Sequence, residues 1–240
     1  MRDAEVIAKL VALVEEHPSR GFWKCYKTLR RQGCVINHKR LHRIYKAMKL
    51  NLRRAAKRRL PKRERAPLYV PKRPDLVWSA DFMSDSLACG RRFRTFNVLE
   101  DFNREALHIE VDTSINAARL IRVFDHLSRE RGLPRILRSD NGPEFLGEAF
   151  TTWLKVRGVA IQYIQPGKPN QNAYIERFNR TFREEVLDRH QFFRLEDVRE
   201  AAHWWMIEYN EQRPHDSLGD LTPYEYRQQQ AGSSIFEMSA

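Results

Sequence analysis

The chain has 240 residues, 42% of them apolar, and a formal net charge of +12, which suits one large packed domain or two modest ones. It contains no run of about 18 apolar residues and no apolar signal core at its N-terminus, which excludes a helical membrane span and argues against secretion. Its three cysteines, Cys25, Cys34 and Cys89, follow no framework spacing, so reduced thiols in a cytoplasmic protein are expected rather than a disulfide scaffold.

The positive charge is concentrated. Pro18–Arg73 holds 20 Lys and Arg against one acid, Glu64, whereas the rest of the chain is net acidic. A polyanionic partner, nucleic acid above all, follows from so uneven a distribution. Residues 3–16 place Val6, Ile7, Leu10, Val11 and Val14 at helical spacing. "RGFWKCYKTLRRQG" predicts a second helix stopped at Gly33, and Asn37 is placed to cap a third, "HKRLHRIYKAMKL". On that third helix Leu41, Ile44, Tyr45 and Met48 share one face, and Lys39, Arg40, Arg43 and Lys46 share the opposite one. A helix with an apolar back and a basic front, entered through a short turn, predicts a helix-turn-helix DNA-binding domain over residues 1–50. Residues 51–74 carry ten basic residues and four prolines and predict an extended basic linker. The domain beyond it is expected to span residues 75–240.

That domain alternates. "LVWSADFM", "RFRTFNVLED" and "EALHIEVD" predict three antiparallel strands. Then come a helix over 115–132, a strand at "RILRS", a helix over 147–158, a strand at "VAIQYI", a long helix from 170 to 188 and another near 195–210. This order predicts an α/β fold, with helices on the faces of a mixed sheet.

Two aspartates interrupt apolar strands. Asp140, in "RSDNGPEF", leaves its strand at the carboxyl end, where open α/β sheets bind ligands. Asp81 lies inside "VWSADFM", a costly place for a charge that is neither paired nor metal-bound. A third carboxylate, Glu176, sits beside the core face formed by Ile175, Phe178, Phe182 and Val186, on a flank shared with Asn179, Arg180 and Arg183. The wheel alone favours an exposed Glu–Arg helix. Yet 35 residues separate Asp140 from Glu176, and the three carboxylates fall on strand, strand and helix in that order.

With the phrases "WSADFMSD", "RSDNGPEF", "GKPNQNAYIERFNRTFREE" and "EYNEQRPHDSLGDLTPYEY", this arrangement resembles the DDE integrase-core superfamily, and in particular the second-reading-frame product (OrfB) of insertion-sequence-3-type elements. The resemblance implies an RNase H-like five-stranded mixed sheet preceded by an all-helical helix-turn-helix domain. It implies a transposase that cleaves and transfers DNA strands, with Asp81, Asp140 and Glu176 as catalytic residues holding two Mg²⁺ ions, for which Mn²⁺ substitutes. Its partners would be element ends and target DNA, a homo-oligomer on DNA, and the upstream reading-frame product (OrfA) as partner or fusion; its place would be the bacterial cytoplasm, near the nucleoid. Lys168, Arg180 and Arg183 are further expected DNA contacts, alongside Lys39, Arg40, Arg43 and Lys46, while Asn141 and Gly142 would form the turn that aims Asp140. Asp85, Asp101 and Glu144 rank below Glu176 as ligands. Cys25, Cys34, His38 and His42 lack the spacing of a zinc finger. An RNase H-type nuclease and a non-catalytic DNA-binding regulator are the alternatives; the first lacks a use for the basic front half, and the second would be expected to lack a carboxylate.

Overall fold

A computed structural model of the protein describes residues 3–52, 71–165 and 169–237. Most of the expected linker, and Lys168, lie outside the described residues. The chain divides into two compact units.

The first unit contains α1 (Ala4–Glu16), α2 (Phe22–Arg31) and α3 (His38–Ala47). Leu10, Leu13, Cys25, Leu29, Leu41, Ile44 and Tyr45 form its core. Gly33, with φ of 81°, supplies the left-handed residue that ends α2. Asn37 caps α3, its side chain accepting the Lys39 N–H at 2.8 Å. The unit also includes Gln212–Leu221, which the linear division assigns to the second domain. The reason is electrostatic: Lys27 of α2 bonds Asp216 at 2.6 Å and also Asp220, and Lys24 donates to the Pro214 carbonyl at 3.3 Å. The segment closes on itself through the His215 N–H and Leu221 carbonyl at 3.0 Å.

The second unit is built on a five-stranded sheet of order β3-β2-β1-β4-β5. Its strands are β1 (Val77–Ser86), β2 (Arg92–Glu100), β3 (Ala106–Asp112), β4 (Ile136–Ser139) and β5 (Ala160–Tyr163). The first three pair antiparallel, while β4 runs parallel to both β1 and β5. Period-2 alternation assigns the faces. Trp78, Ala80, Phe96, Val98 and Leu137 meet α4 (Ala117–Glu130) and α6 (Glu148–Val156) through Leu120, Phe124 and Phe150. Met83 and Leu99 on the other face meet α7 (Ala173–Phe182) and α8 (Leu195–Glu211) through Ile175, Phe178, Phe182 and Trp205.

Two helices escape the sequence reading, and one is shorter than expected. A single turn, α5 (Pro143–Leu146), follows Asp140, and α9 (Pro223–Glu237) follows Thr222. The latter starts with a capping box legible as T-P-Y-E: Thr222 Oγ1 accepts the Glu225 N–H at 3.2 Å, and the Glu225 carboxylate accepts the Thr222 N–H at 2.9 Å. The helix expected over 170–188 is three pieces: a 3₁₀ turn at Pro169–Asn172, α7, and a π-helical turn at Arg183–Leu187. The wider last turn accompanies two anchors, Arg183 on Asp85 and Glu185 on the Trp205 indole N–H.

Beneath the carboxyl ends of β1 and β4 lies a buried ion pair. Arg138 Nη1 donates to Asp101 Oδ2 at 2.8 Å, and Ser79 Oγ donates to Asp101 Oδ1 at 2.7 Å. Asp101 is 0% and Arg138 5% exposed. Burial pushes the Asp101 carboxyl up to about 6, against the pull of Ser79 and Arg138. Removing one partner leaves the other charged and unpaired, which costs roughly 3–5 kcal/mol. Arg138→Met is therefore expected to lower the urea-unfolding free energy by that amount, and Asp101→Leu with Arg138→Met together by much less. A double-mutant cycle of urea midpoints checks this.

Candidate active site

The site follows from strand register. Ser79 of β1 lies opposite Arg138 of β4 in a parallel pair. Two residues further along each strand, on the same face, come Asp81 and Asp140. Both therefore stand at the carboxyl end of the sheet centre, on the side that α7 covers. α7 packs on β1 and β2 because Ile175, Phe178 and Phe182 are buried there. Glu176, one residue beyond Ile175, is exposed at the rim of this face.

Asp81 is the half-buried member, whereas Asp140 and Glu176 are exposed. One oxygen accepts the Phe82 N–H at 2.9 Å, and the other accepts Nδ2 of Asn179 at 2.8 Å. Its pKa is pushed up to about 6, by burial first and then by the negative charges of Asp140 and Glu176, against those two hydrogen bonds. Asp140 and Glu176, from elements far apart in sequence, thus both act electrostatically on Asp81.

Asp140 is held by the turn after it. Its Oδ1 accepts the Gly142 N–H at 3.0 Å, and the Asn141 amide donates to the Ile164 carbonyl at 3.3 Å, tying the turn to the end of β5. A Cβ on Gly142 would lie 3.0 Å from Asp140 Oδ1 and 3.2 Å from Glu144 Oε2. Glycine alone leaves both carboxylates in place. Glu144 is paired with Arg94, whose guanidinium lies 4.1 Å over the Phe82 ring.

The basic residues sort into free and engaged. Lys39 and Lys46 are exposed on α3, on the face opposite its buried Leu41, Ile44 and Tyr45. Arg40 donates to Asp3 at 2.8 Å and Arg43 stands 4.0 Å from it. Arg180 is exposed on α7. Arg183 is bound to Asp85 at 3.0 Å and to the Ser84 carbonyl at 2.9 Å, which makes it a tie between the π turn and β1. The sequence reading assigned no role to Arg138 or Asn97. A polar residue within the apolar run "FNVLE", opposite Asp81, was the available signal for the latter.

Asp81, Asp140 and Glu176 present only hard oxygen donors, the set that suits Mg²⁺ or Mn²⁺. Among the described residues no group of three His, Cys, Asp or Glu is drawn together as a ready-made cation cage; Asp81 and Asp140 are turned onto N–H donors instead. The mutual repulsion at Asp81 is the electrostatic condition that a bound cation relieves.

The chain matches the integrase core domain family over residues 71–169 and, through a second description of an integrase core domain, over 157–223; residues 1–59 match an HTH-like domain. It is 42% identical over 219 residues to an uncharacterized 31.7 kDa protein of insertion element IS407 from Burkholderia multivorans, covering 91% of this chain and 79% of that protein. It is 24% identical over 238 residues to a putative transposase for insertion sequence element IS150 from Escherichia coli, covering 94% and 84%. The second unit resembles the HTLV-2 integrase catalytic core domain solved with magnesium, with a TM-score of 0.51 and 15% identity over 64% of this chain and 97% of that one.

The raised pKa of Asp81 has a definite sign. Its folded value of about 6 lies above the model-compound value of 3.8, so its contribution to stability is complete below about pH 4 and is lost as pH rises through 6. In EDTA, wild type is expected to lose on the order of 2–3 kcal/mol more than Asp81→Asn between pH 4 and pH 7.5. Urea midpoints of both proteins across that range check it.

Proposed function

This chain belongs to the integrase-core transposase family of insertion sequences, and on that premise we propose that Asp81, Asp140 and Glu176 are its catalytic carboxylates. The observation that carries the proposal is that Asp81 and Asp140 stand at the carboxyl ends of two adjacent parallel strands, with the charges of Asp140 and of Glu176 on α7 both acting on Asp81. Together they would hold two Mg²⁺ ions, with Mn²⁺ as substitute. When bound, such a pair activates water or a 3′-hydroxyl and stabilises the leaving oxygen of an in-line displacement. The chain's own residues do the rest. Asn179 and the Phe82 N–H hold the Asp81 carboxylate in one orientation, Gly142 and Asn141 aim Asp140, and Arg183 pins the end of the Glu176 helix to β1.

The DNA would be held by charge. Lys39 and Lys46, exposed on the outer face of α3, contact phosphates together with Arg43, and Arg180 and Lys168 are further DNA contacts. Arg40 joins them once Asp3 releases it. The reaction takes place in the bacterial cytoplasm, in a homo-oligomer assembled on element ends, with the upstream reading-frame product as partner or fusion. No helix among the described residues is long and apolar enough to cross a membrane.

Purified protein with Mn²⁺ is expected to join a labelled 3′-hydroxyl element end to target DNA. Asp140→Asn and Glu176→Gln are each expected to reduce joining by at least about a thousandfold, the scale of losing a transition-state charge stabiliser, while leaving DNA binding in a mobility-shift assay intact. Hydrolysis without joining would assign the site to a nuclease instead. Lys39→Ala with Lys46→Ala is expected to weaken binding to all DNA sequences alike and to reduce the slope of log K against log salt by about 2. Fluorescence anisotropy across a salt series measures both.

A further inference from the structure

Behind the proposed carboxylates lies a second polar layer. Asn179 is three residues beyond Glu176 on α7, and its Nδ2 donates to Asp81 Oδ2 at 2.8 Å. Its Oδ1 accepts from Nδ2 of Asn97 at 2.7 Å. Asn97 lies on β2 directly opposite Asp81 in the β1–β2 register. Asn97 is 0% and Asn179 8% exposed. The three side chains therefore form a triangle of two buried amides and the half-buried Asp81, with two edges made by the Asn179 amide and the third by strand pairing.

The chemistry of that amide is directional. Only its NH₂ end can donate to a carboxylate; rotated by 180°, it would set one acceptor against another. Asn97 removes the choice, because its own NH₂ is aimed at Asn179 Oδ1 and would be left without that acceptor if Asn179 turned. The arrangement has a cost. Asn97 Oδ1 is buried with no hydrogen-bond partner among the described residues, and an orphaned buried acceptor is destabilising. A leucine in this strand would remove that orphan but would leave Asn179 Oδ1 without its donor. What the amide supplies is a fixed orientation for Asn179, a bond from α7 to β1, and one defined direction for the free lone pairs of Asp81.

We propose that Asn97 is a positioning residue of the carboxylate site: acting through Asn179, it fixes the Asp81 carboxylate in the orientation that binds a divalent cation. This rests on the reading of Asp81 as a metal ligand. A residue of merely structural importance would change unfolding and leave cation affinity alone. A positioning residue changes cation affinity, and does so only while Asn179 is present.

The test is a double-mutant cycle on the full chain, read as Mn²⁺ affinity by calorimetry, with urea midpoints in EDTA reporting stability separately. Wild type, Asn97→Leu, Asn179→Ala, the double variant and Asp81→Asn are compared. Asn97→Leu is expected to weaken Mn²⁺ binding about tenfold, the lower end of the range for groups that orient a ligand. The double variant is expected to bind no more weakly than Asn179→Ala alone. Unchanged affinity in Asn97→Leu, or additive losses in the double variant, overturns the proposal. Saturable binding that Asp81→Asn leaves intact, or no saturable binding in wild type, overturns the underlying assignment of Asp81 and the positioning role with it. If Asn97→Leu does not fold, the smaller Asn97→Ala takes its place in the same cycle, with the same outcomes.

Discussion

The parallel pairing of β1 with β4 is the constraint on which the site depends. Because side chains alternate along a strand, a slip of one residue in that pairing would send one aspartate to the α4 face. The pairing has few backbone bonds to hold it, since β4 is only four residues long. Its register is held instead by what flanks it: Trp78 and Leu137 buried on one face, and the Asp101–Arg138–Ser79 cluster buried on the other. The ion pair beneath the carboxylates thus acts as a peg. It is the kind of buried polar contact whose use lies in specifying one arrangement.

A second theme is the pairing of polar groups at the centre of the sheet face that α7 covers. The centre of the face under α4 and α6 is packed with the hydrocarbon of Trp78, Ala80, Phe96, Val98 and Leu137. The face under α7 carries Asp81, Asn97, Ser79, Asp101 and Arg138 among apolar neighbours. With the exception of the Asn97 oxygen, the arrangement pairs donor with acceptor: Asn179 with Asp81, Ser79 and Arg138 with Asp101. Pairing of this sort permits a carboxylate to stand in a strand without collapse of the surrounding core.

Much of this was legible in the residues, for identifiable reasons. Strand alternation and helix spacing are strong signals for long, one-faced elements, and β1, β2, α4 and α8 fall close to where periodicity puts them. The capping asparagine of α3 and the turn glycines act locally, so their structural consequence is visible locally. Asp81 and Asp140 stood out because each is a charge at a strand position that hydrocarbon would otherwise fill. What was hidden depends on residues distant in sequence. Arg138 was assigned no role, because only the fold brings Asp101 to it. The tie of Arg183 to Asp85 spans 98 positions, so the helix sequence alone does not contain it. Asn97 and Asn179 are 82 positions apart, and no period links them. The break of the 170–188 helix into three kinds of turn also depends on side-chain partners outside it, which a helical wheel does not contain.

The Gln212–Leu221 segment, whose Asp216 and Asp220 bond Lys27 of α2, has a consequence for biosynthesis. During translation the first 50 residues emerge early, with Lys27 on α2 and no counter-charge nearby in sequence. Asp216 and Asp220 leave the ribosome only after nearly the whole chain has been made. The first unit is thus begun at one end of the messenger and finished near the other, so a chain released early carries three helices whose lysine still faces water alone.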